Sequence, residues 1–134
     1  MSKAEITFLS VEDVITVHDD TIAYEGGLAG LRDRGLLESA VMMPQAAFGG
    51  QYLHDGIQAM AAAYLFHICQ AHAFHDGNKR TSVVSAIAFL KANGRDLIAT
   101  NTELVELGLG VAGGILDKSD ATAWMRQFAK RIKT

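Results

Sequence analysis

The hydrophobic positions near the start of the chain recur with the period of an α-helix. Beginning after Ser10, which suits a helix N-cap, apolar residues follow an i, i+3, i+4, i+7 spacing as far as Ile22. Gly26 and Gly27 come next and predict the end of this helix. His18 falls on the apolar stripe, so we expect an interior histidine that forms a hydrogen bond.

The chain then changes from helical to turn-forming character. A second, short helix is predicted from a cap at Asp33 to a stop at Pro44. Residues 44–56 hold several turn formers, which predicts a loop or a small hairpin. Within it, Phe48 and Tyr52 suit two interpretations equally well: a flap that docks a target protein, or a cover for the core.

The two most apolar segments follow one another. Residues from Ile57 to about Ala71 are apolar nearly all round, which is typical of a central helix covered on several sides. A polar loop separates this segment from the next predicted helix, from about Asn78 to Ala92.

Two more helices complete the prediction. The fifth begins at a cap at Asn101 or Thr102 and runs to about Ala112; the sixth is capped by Ser119 and has Trp124, Phe128 and Ile132 on its buried side. Only residues 6–9 and 96–99 have strand-like patterns, and both segments are short. We therefore expect an all-α fold: a bundle of about six helices with a central helix-loop-helix, forming one domain over residues 1–134.

Composition narrows the class of protein. The 134 residues are 49% hydrophobic and 20% charged, which is ordinary for a globular domain, and the net charge of −3 argues against direct, general nucleic-acid binding. Cys69 is the single cysteine, so no internal disulfide forms. The acidic N-terminal segment does not resemble a signal peptide, and no apolar stretch is long enough to span a bilayer. We expect a cytoplasmic protein without membrane attachment.

Polar residues are concentrated in the loop between the two central helices, His72-Ala-Phe-His-Asp-Gly-Asn-Lys-Arg-Thr81. A helix that begins near Asn78 offers free backbone N–H groups and the positive end of its dipole to an anion. Gly77 allows close approach of a ligand to the backbone, and Lys79 and Arg80 add positive charge. This combination favours phosphate binding.

The remaining polar residues of the loop suit a transfer reaction. Asp76 beside bound phosphates is a suitable ligand for Mg²⁺. His72 has a side chain that titrates near neutrality and suits proton removal from an attacking hydroxyl. Phe74, which lies between polar neighbours, is expected to point inward and anchor the loop. Together these residues predict phosphoryl or nucleotidyl transfer.

The segment HAFHDGNKR matches the signature H-x-F-x-[D/E]-[A/G]-N-K-R and resembles the Fic/Doc family, in particular its Doc (death-on-curing) members. The segments HDDTIAYEGGLAG, LRDRGLLESA, MPQAAFGG and FLKANG are also similar to segments of Doc proteins, so the resemblance extends over most of the chain.

The resemblance implies a role for each residue of the signature. His72 would be the catalytic base that acts on a serine or threonine hydroxyl of a target protein, Asp76 would bind Mg²⁺, and Gly77, Asn78, Lys79 and Arg80 would hold the phosphates of ATP. It also implies a toxin that phosphorylates elongation factor Tu and halts translation. Its partner would be a small antitoxin whose disordered tail folds on the toxin.

Two positions favour phosphoryl over adenylyl transfer. Lys79 stands where adenylyl-transferring Fic enzymes have glycine, and Val83 stands where they usually have a second arginine. An added cation at position 79 fills space that the nucleotide's phosphates would otherwise occupy. Adenylyl transfer to a protein hydroxyl remains an alternative, as does a catalytically silent module that only binds an antitoxin.

Three other patterns are given weaker interpretations. Residues 21–26 fit the pattern of Fic autoinhibitory helices, but the second arginine that the glutamate pairs with is absent, so a helix end capped by Gly26 explains Glu25 better. The pairs His54-Asp55 and His75-Asp76 are also found in metal-dependent phosphohydrolases, although no distal aspartate accompanies them. The G-x-G-x-x-G pattern of residues 108–113 lacks a preceding strand and favours close helix packing.

Overall fold

The structure is a computed structural model that describes residues 5–132. The described chain folds into six α-helices: α1 (Val11–Glu25), α2 (Arg34–Met42), α3 (Ile57–Ala71), α4 (Asn78–Ala92), α5 (Asn101–Ala112) and α6 (Lys118–Phe128). Two short antiparallel ribbons accompany them, formed by β1 (Ala47–Phe48) with β2 (Gln51–Tyr52) and by β3 (Arg95–Leu97) with β4 (Ala129–Arg131). The all-α fold class is confirmed.

The first two helices begin where the sequence predicts. The Ser10 hydroxyl accepts from the backbone N–H of Asp13, and the Asp13 carboxylate accepts from the N–H of Ser10, which forms a capping box. The Asp33 side chain caps α2 without a reciprocal box, by accepting from the N–H of Leu36 at 3.0 Å. Residues 47–52 form the small hairpin of β1 and β2.

The predicted caps of α5 and α6 are wrong by one and two residues. Thr100, rather than Asn101 or Thr102, caps α5, because it forms a reciprocal box with Glu103. Asp117, rather than Ser119, caps α6 through a box with Asp120. In both helices the residue with an acidic partner three positions later becomes the cap, since the box satisfies two free backbone donors.

The sixth helix ends at Phe128, and the chain then becomes extended. β4 pairs with β3 with Arg95 opposite Arg131, and the N–H of Ile132 donates to the carbonyl of Gly94. Ile132 is 47% exposed, so its predicted place on a buried helix face is wrong. The ribbon satisfies backbone groups of the α4–α5 connection that a longer α6 would leave without partners.

The strand predicted at residues 6–9 does not form. The N–H of Leu9 donates instead to the buried Tyr64 hydroxyl at 2.8 Å, and the side chain of Asn93 bonds to both the N–H and the carbonyl of Thr7. Side chains therefore take the place of a neighbouring strand. The other predicted strand, 96–99, lies one to two residues earlier as β3.

Helix α3 is the centre of the molecule. It packs against α2, α4, α5 and α6, and nine of its residues are buried. The core around it contains Tyr64, Leu65 and Ile68 of α3 and Phe89 of α4, each at most 1% exposed. Helices α3 and α4 form an antiparallel pair, which presents the loop of residues 72–77 at one end.

None of the helices within residues 5–132 is long and apolar enough to cross a bilayer.

Candidate active site

Two residues in left-handed backbone conformation define the loop between the central helices. His72 ends α3 with φ of 49°, and Gly77 precedes α4 with φ of 76°. A side chain at position 77 would meet Ile22 and His18, so glycine suits both the conformation and the space. No side chain caps α4, which leaves its first N–H groups free to bind an anion.

The middle of the loop is held against the core. Phe74 is 2% exposed, and its ring stacks on His18 with 3.8 Å between centroids and 8° between planes. The Nε2 atom of His18 hydrogen-bonds the carbonyl of Asp76 at 2.7 Å. His18 is thus a hydrogen-bonded interior histidine, as predicted, and it joins α1 to the loop.

Asn78 closes the loop on itself. Its Oδ1 atom accepts from the N–H of Phe74 at 3.0 Å, and its Nδ2 atom donates to the Phe74 carbonyl at 2.9 Å. The N-cap of α4 is Gly77, and Asn78 is the first helical residue, as the sequence predicts. Its side-chain amide therefore fixes the backbone of the loop at Phe74.

A second segment, residues 26–33, forms hydrogen bonds to the backbone of the loop. The N–H groups of Arg32 and Asp33 donate to the carbonyl of Ala73 at 2.7 and 3.0 Å. The Arg32 guanidinium donates through Nε and Nη2 to the carbonyl of His72, at 2.9 and 2.5 Å. Sequence reasoning missed Arg32, because nothing local links it to a residue 40 positions away.

The carboxylate of Asp76 is fixed by two backbone donors. Oδ2 accepts from the N–H of Leu28 at 3.2 Å, and Oδ1 accepts from the N–H of Gly77 at 3.0 Å. A Cβ atom on Gly27 would lie 2.7 Å from Oδ2, so glycine is needed at position 27 for this approach. Each oxygen keeps a lone pair, so the group fits a Mg²⁺ ion that shares its other ligands with phosphates and water.

These residues surround a cavity of about 470 Å³. The lining includes the predicted phosphate-binding residues and reaches the end of α1: Thr21, Ile22, Glu25, Gly26, His75, Asp76, Gly77, Asn78, Lys79 and Arg80. His72 is exposed and is not among the residues that line the cavity. The structure therefore brings Asp76 to Arg80 together around one space, but it does not include the predicted base, His72, in that lining.

The cavity holds an ion pair that the sequence analysis did not anticipate. Arg80 pairs with Glu25, and their side chains are 49% and 37% exposed. The helix end at Glu25 is as predicted, since the N–H of Gly26 donates to the carbonyl of Ile22. The second arginine is absent, as stated from the sequence, but Glu25 nevertheless has a charge partner, because Arg80 itself lies within reach of the helix end.

The two positions that distinguish this signature contact the same glycine. A Cβ atom on Gly108 of α5 would lie 3.3 Å from both Lys79 Cγ and Val83 Cγ2. Lys79 and Val83 are one helical turn apart and share this face of α4. Gly110 likewise admits the side chain of Leu116. The glycines of residues 108–113 thus serve close packing, as predicted.

The other histidines lie apart from the loop. His54 is 9% exposed and stands 6.5 Å, between ring centroids, from His67, whose Nε2 atom lies 3.2 Å from Lys118 Nζ. Burial, the Lys118 charge and His54 lower the pKa of His67 to about 4. Within residues 5–132 no three metal-ligating side chains come together.

Phe48 and Tyr52, for which a docking flap and a cover for the core were both predicted, lie in the β1–β2 hairpin and differ in exposure. Phe48 is 82% exposed, and Tyr52 is 47% exposed with its ring 5.6 Å from that of Phe8. Tyr52 therefore partly covers the core, whereas Phe48 covers nothing and is free to contact another molecule.

The fold and the loop define a class of protein. It is a helical domain whose two central helices are joined by a loop with an exposed imidazole, and a fixed carboxylate and an uncapped helix N-terminus line one cavity. A model of the Fic/DOC family matches residues 8–90. Protein kinase doc of Escherichia phage P1 is 34% identical over 120 residues, which are 90% of this chain and 94% of that protein. Toxin Doc of Mycolicibacterium smegmatis is 42% identical over 92 residues, 69% of this chain and 68% of that protein.

The chain belongs to the Fic/Doc family, and within it the chain is Doc-like.

Proposed function

We propose that this protein is a toxin that transfers the γ-phosphoryl group of ATP to a serine or threonine hydroxyl of a translation factor. The target taken from the resemblance is elongation factor Tu, the site of action is the cytoplasm, and a small antitoxin with a disordered tail restrains the toxin. The observation that carries this proposal is the cavity at the N-terminus of α4, with its free N–H groups and two cations.

The phosphates of ATP fit this cavity by charge and by hydrogen-bonding capacity. The first N–H groups of α4 offer donors fixed in direction, and Lys79 and Arg80 supply the charge that a polyphosphate needs. The ion pair with Glu25 has to open, or be shared, when a phosphate engages Arg80. Asp76 would hold Mg²⁺, which neutralises charge that develops on the phosphates during transfer.

In the proposed reaction, His72 takes the proton of the target hydroxyl while its oxygen attacks the γ-phosphorus. The bond from the γ-phosphorus to the β–γ bridging oxygen breaks, and ADP leaves with the electron pair. The contact of Arg32 with the His72 carbonyl positions the backbone that carries this base. Such transfers depend mainly on positioning and on charge stabilisation, which the braced loop supplies.

The environment of Lys79 supports phosphoryl rather than adenylyl transfer. The stem of Lys79 and the side chain of Val83 both pack on Gly108, so position 83 faces α5. Adenylyl-transferring relatives would carry glycine at position 79 and arginine at position 83. In this chain Lys79 adds a cation to the cavity, and Val83 adds none. Protein kinase doc, with 34% identity over most of both chains, bears a name that agrees with this assignment.

The experiment is intact-mass spectrometry of elongation factor Tu after incubation with the purified protein, ATP and Mg²⁺, beside His72→Ala. A phosphoryl increment that depends on His72 is the expected result. An adenylyl increment would replace the kinase with the alternative transferase. An unmodified factor would exclude this target, and repeating the assay on a ribosome-free lysate would then test for transfer to any other protein.

A further inference from the structure

A second, larger cavity lies at the opposite end of the α3–α4 pair. This distal groove, of about 980 Å³, is lined by the start of α3, the end of α4, the β1–β2 hairpin and the β3–β4 ribbon. Its lining comprises Glu5, Ile6, Arg95, Arg131, Asn93 and His54, among others. The loop of residues 72–77 is at the far end of both helices, so the distal groove is separate from the proposed catalytic cavity.

Two arginines face one another across the ribbon that borders the distal groove. Arg95 and Arg131 are direct partners in the antiparallel register, so their side chains leave the same face of the ribbon. Like charges in this arrangement repel each other. Among residues 5–132 neither arginine has a carboxylate partner, although Glu5 and Asp55 also line the groove.

Two side chains that line the groove hold buried polar atoms without partners. The Nε atom of Arg95 has no hydrogen-bond partner within the described chain, although its Nη1 atom donates to the carbonyl of Asn93 at 3.2 Å, and the Nδ1 atom of His54, a residue that is 9% exposed, has none either. Buried polar atoms without partners are uncommon, because each has lost its hydrogen bonds to water without replacing them. In addition, α3 begins at Gly56 with no side-chain cap and no acidic residue in its first turn.

Part of the remaining lining is apolar. Ile57 and Met60 belong to it, and Tyr52 contributes an aromatic ring, beside the polar side chains of Gln51 and Asn93. Two guanidinium groups and an uncapped helix N-terminus supply donors from three separate segments, which suits a tetrahedral phosphate better than a planar carboxylate that one guanidinium satisfies. The volume exceeds that of a phosphate and leaves room for an organic portion.

We propose that the distal groove binds a small organic phosphate, which Arg95, Arg131 and the N-terminus of α3 hold by its phosphate group. The side chain of His54 donates a further hydrogen bond from the floor of the groove, and the ring of Tyr52 covers the organic portion. This site does not depend on the proposed kinase activity, because it shares no residue with the catalytic cavity.

The test is a titration of the full-length protein followed residue by residue in two-dimensional amide NMR spectra. The probes are inorganic phosphate, AMP and, as a carboxylate comparison, succinate. We expect phosphate and AMP to shift the amides of Gly56, Ile57 and Arg95, with AMP binding more tightly than phosphate and succinate more weakly than both. Arg95→Gln and Arg131→Gln should each lower the affinity for AMP, as followed by these amide shifts, by about tenfold or more. Arg131 is exposed, so its replacement should not disturb the fold.

Arg126→Gln is the matched control, because Arg126 lies nearby but donates to the Asp55 carbonyl and does not line the groove. Its affinity for AMP should equal that of the unmodified protein. Shifts confined to residues 77–80 would overturn the proposal, as would groove shifts that persist in both arginine variants. Equal affinity for succinate and phosphate would overturn the choice of a phosphate.

Discussion

The two ends of the α3–α4 pair differ in how their polar groups are satisfied. At the loop end, the chain supplies partners for the backbone: His18 for the Asp76 carbonyl, Asn78 for the backbone of Phe74 and Arg32 for the His72 carbonyl. One buried side chain there, the hydroxyl of Thr81, has no partner within residues 5–132. At the groove end, Arg95 and His54 keep buried atoms without partners in the described chain. Contacts within the chain therefore hold the backbone of the loop in place, whereas at the groove end the proposed ligand would supply the partners that Arg95 and His54 lack.

The largest expected effect is on the rate of transfer, and it comes from a substitution at the loop end that should leave stability unchanged. His72→Ala should lower the rate of phosphoryl transfer by about 10²- to 10⁴-fold, because a general base contributes that much. Since the His72 side chain is exposed, the midpoint of thermal unfolding should stay unchanged. Steady-state kinetics and thermal denaturation together measure both. A loss below about tenfold for His72→Ala would remove it as the base.

The next prediction compares two aromatic rings in opposite environments. Phe74→Ala should lower the free energy of unfolding by about 3–5 kcal/mol, because the ring is buried against His18 at the loop end. Phe48→Ala, at an 82% exposed position in the hairpin beside the groove, should change it by less than about 0.5 kcal/mol. Chemical denaturation measures both values. Equal losses would mean that the loop is not anchored through Phe74.

A third prediction concerns pH and the histidines outside the loop. The pKa of His67 is about 4 in the folded protein, so the unfolded chain binds the proton first as the pH falls below 6.5. The stabilisation is present above pH 6.5 and is lost towards pH 4, by at most about 2 kcal/mol between pH 7 and pH 5.

Chemical denaturation as a function of pH measures this loss, and His67→Gln is the comparison, because it removes the titrating group. The variant should show a flatter dependence over the same interval. If the two curves run parallel, another group causes the acid sensitivity of the fold.

The smallest expected effect comes from breaking the ion pair between Glu25 and Arg80 in the cavity at the N-terminus of α4. Glu25→Gln removes the carboxylate that pairs with Arg80, so nucleotide no longer competes for the guanidinium. Because exposed pairs contribute about 0.2–1 kcal/mol, we expect the KM for ATP to fall by about two- to fivefold with kcat nearly unchanged. Asp20→Gln, an exposed acidic residue of the same helix, serves as the control. A rise of kcat rather than a fall of KM would show that Glu25 restrains catalysis itself.

Local signals in the sequence predicted much of the fold and the composition of the loop. Ser10 and Asp33 act through residues three positions away, and the residues from His72 to Arg80 are contiguous, so short windows contain the information. Thr100 and Asp117 were missed because polar residues next to each of them also suit a cap, and the acidic partner decides between them.

Contacts between distant segments were beyond such reasoning. Leu28 reaches Asp76 across 48 positions, and Arg32 reaches His72 across 40, so neither contact follows from periodicity or spacing. The same holds for the distal groove, where Arg95 and Arg131 meet only because the chain after α6 turns into a strand. The roles of His72, Asp76 and residues 77–80 in transfer stay predictions that the experiments above address.

The central claim is that the loop end transfers the γ-phosphoryl group, and ATP labelled at one phosphorus tests it most directly. Parallel reactions with elongation factor Tu would contain Mg²⁺ and ATP labelled at either the γ- or the α-phosphorus. We predict that label enters the factor from γ-labelled ATP alone and that His72→Ala abolishes its entry. Label entering from α-labelled ATP would contradict the account, because it would show that the cavity with Lys79 holds the nucleotide for adenylyl transfer.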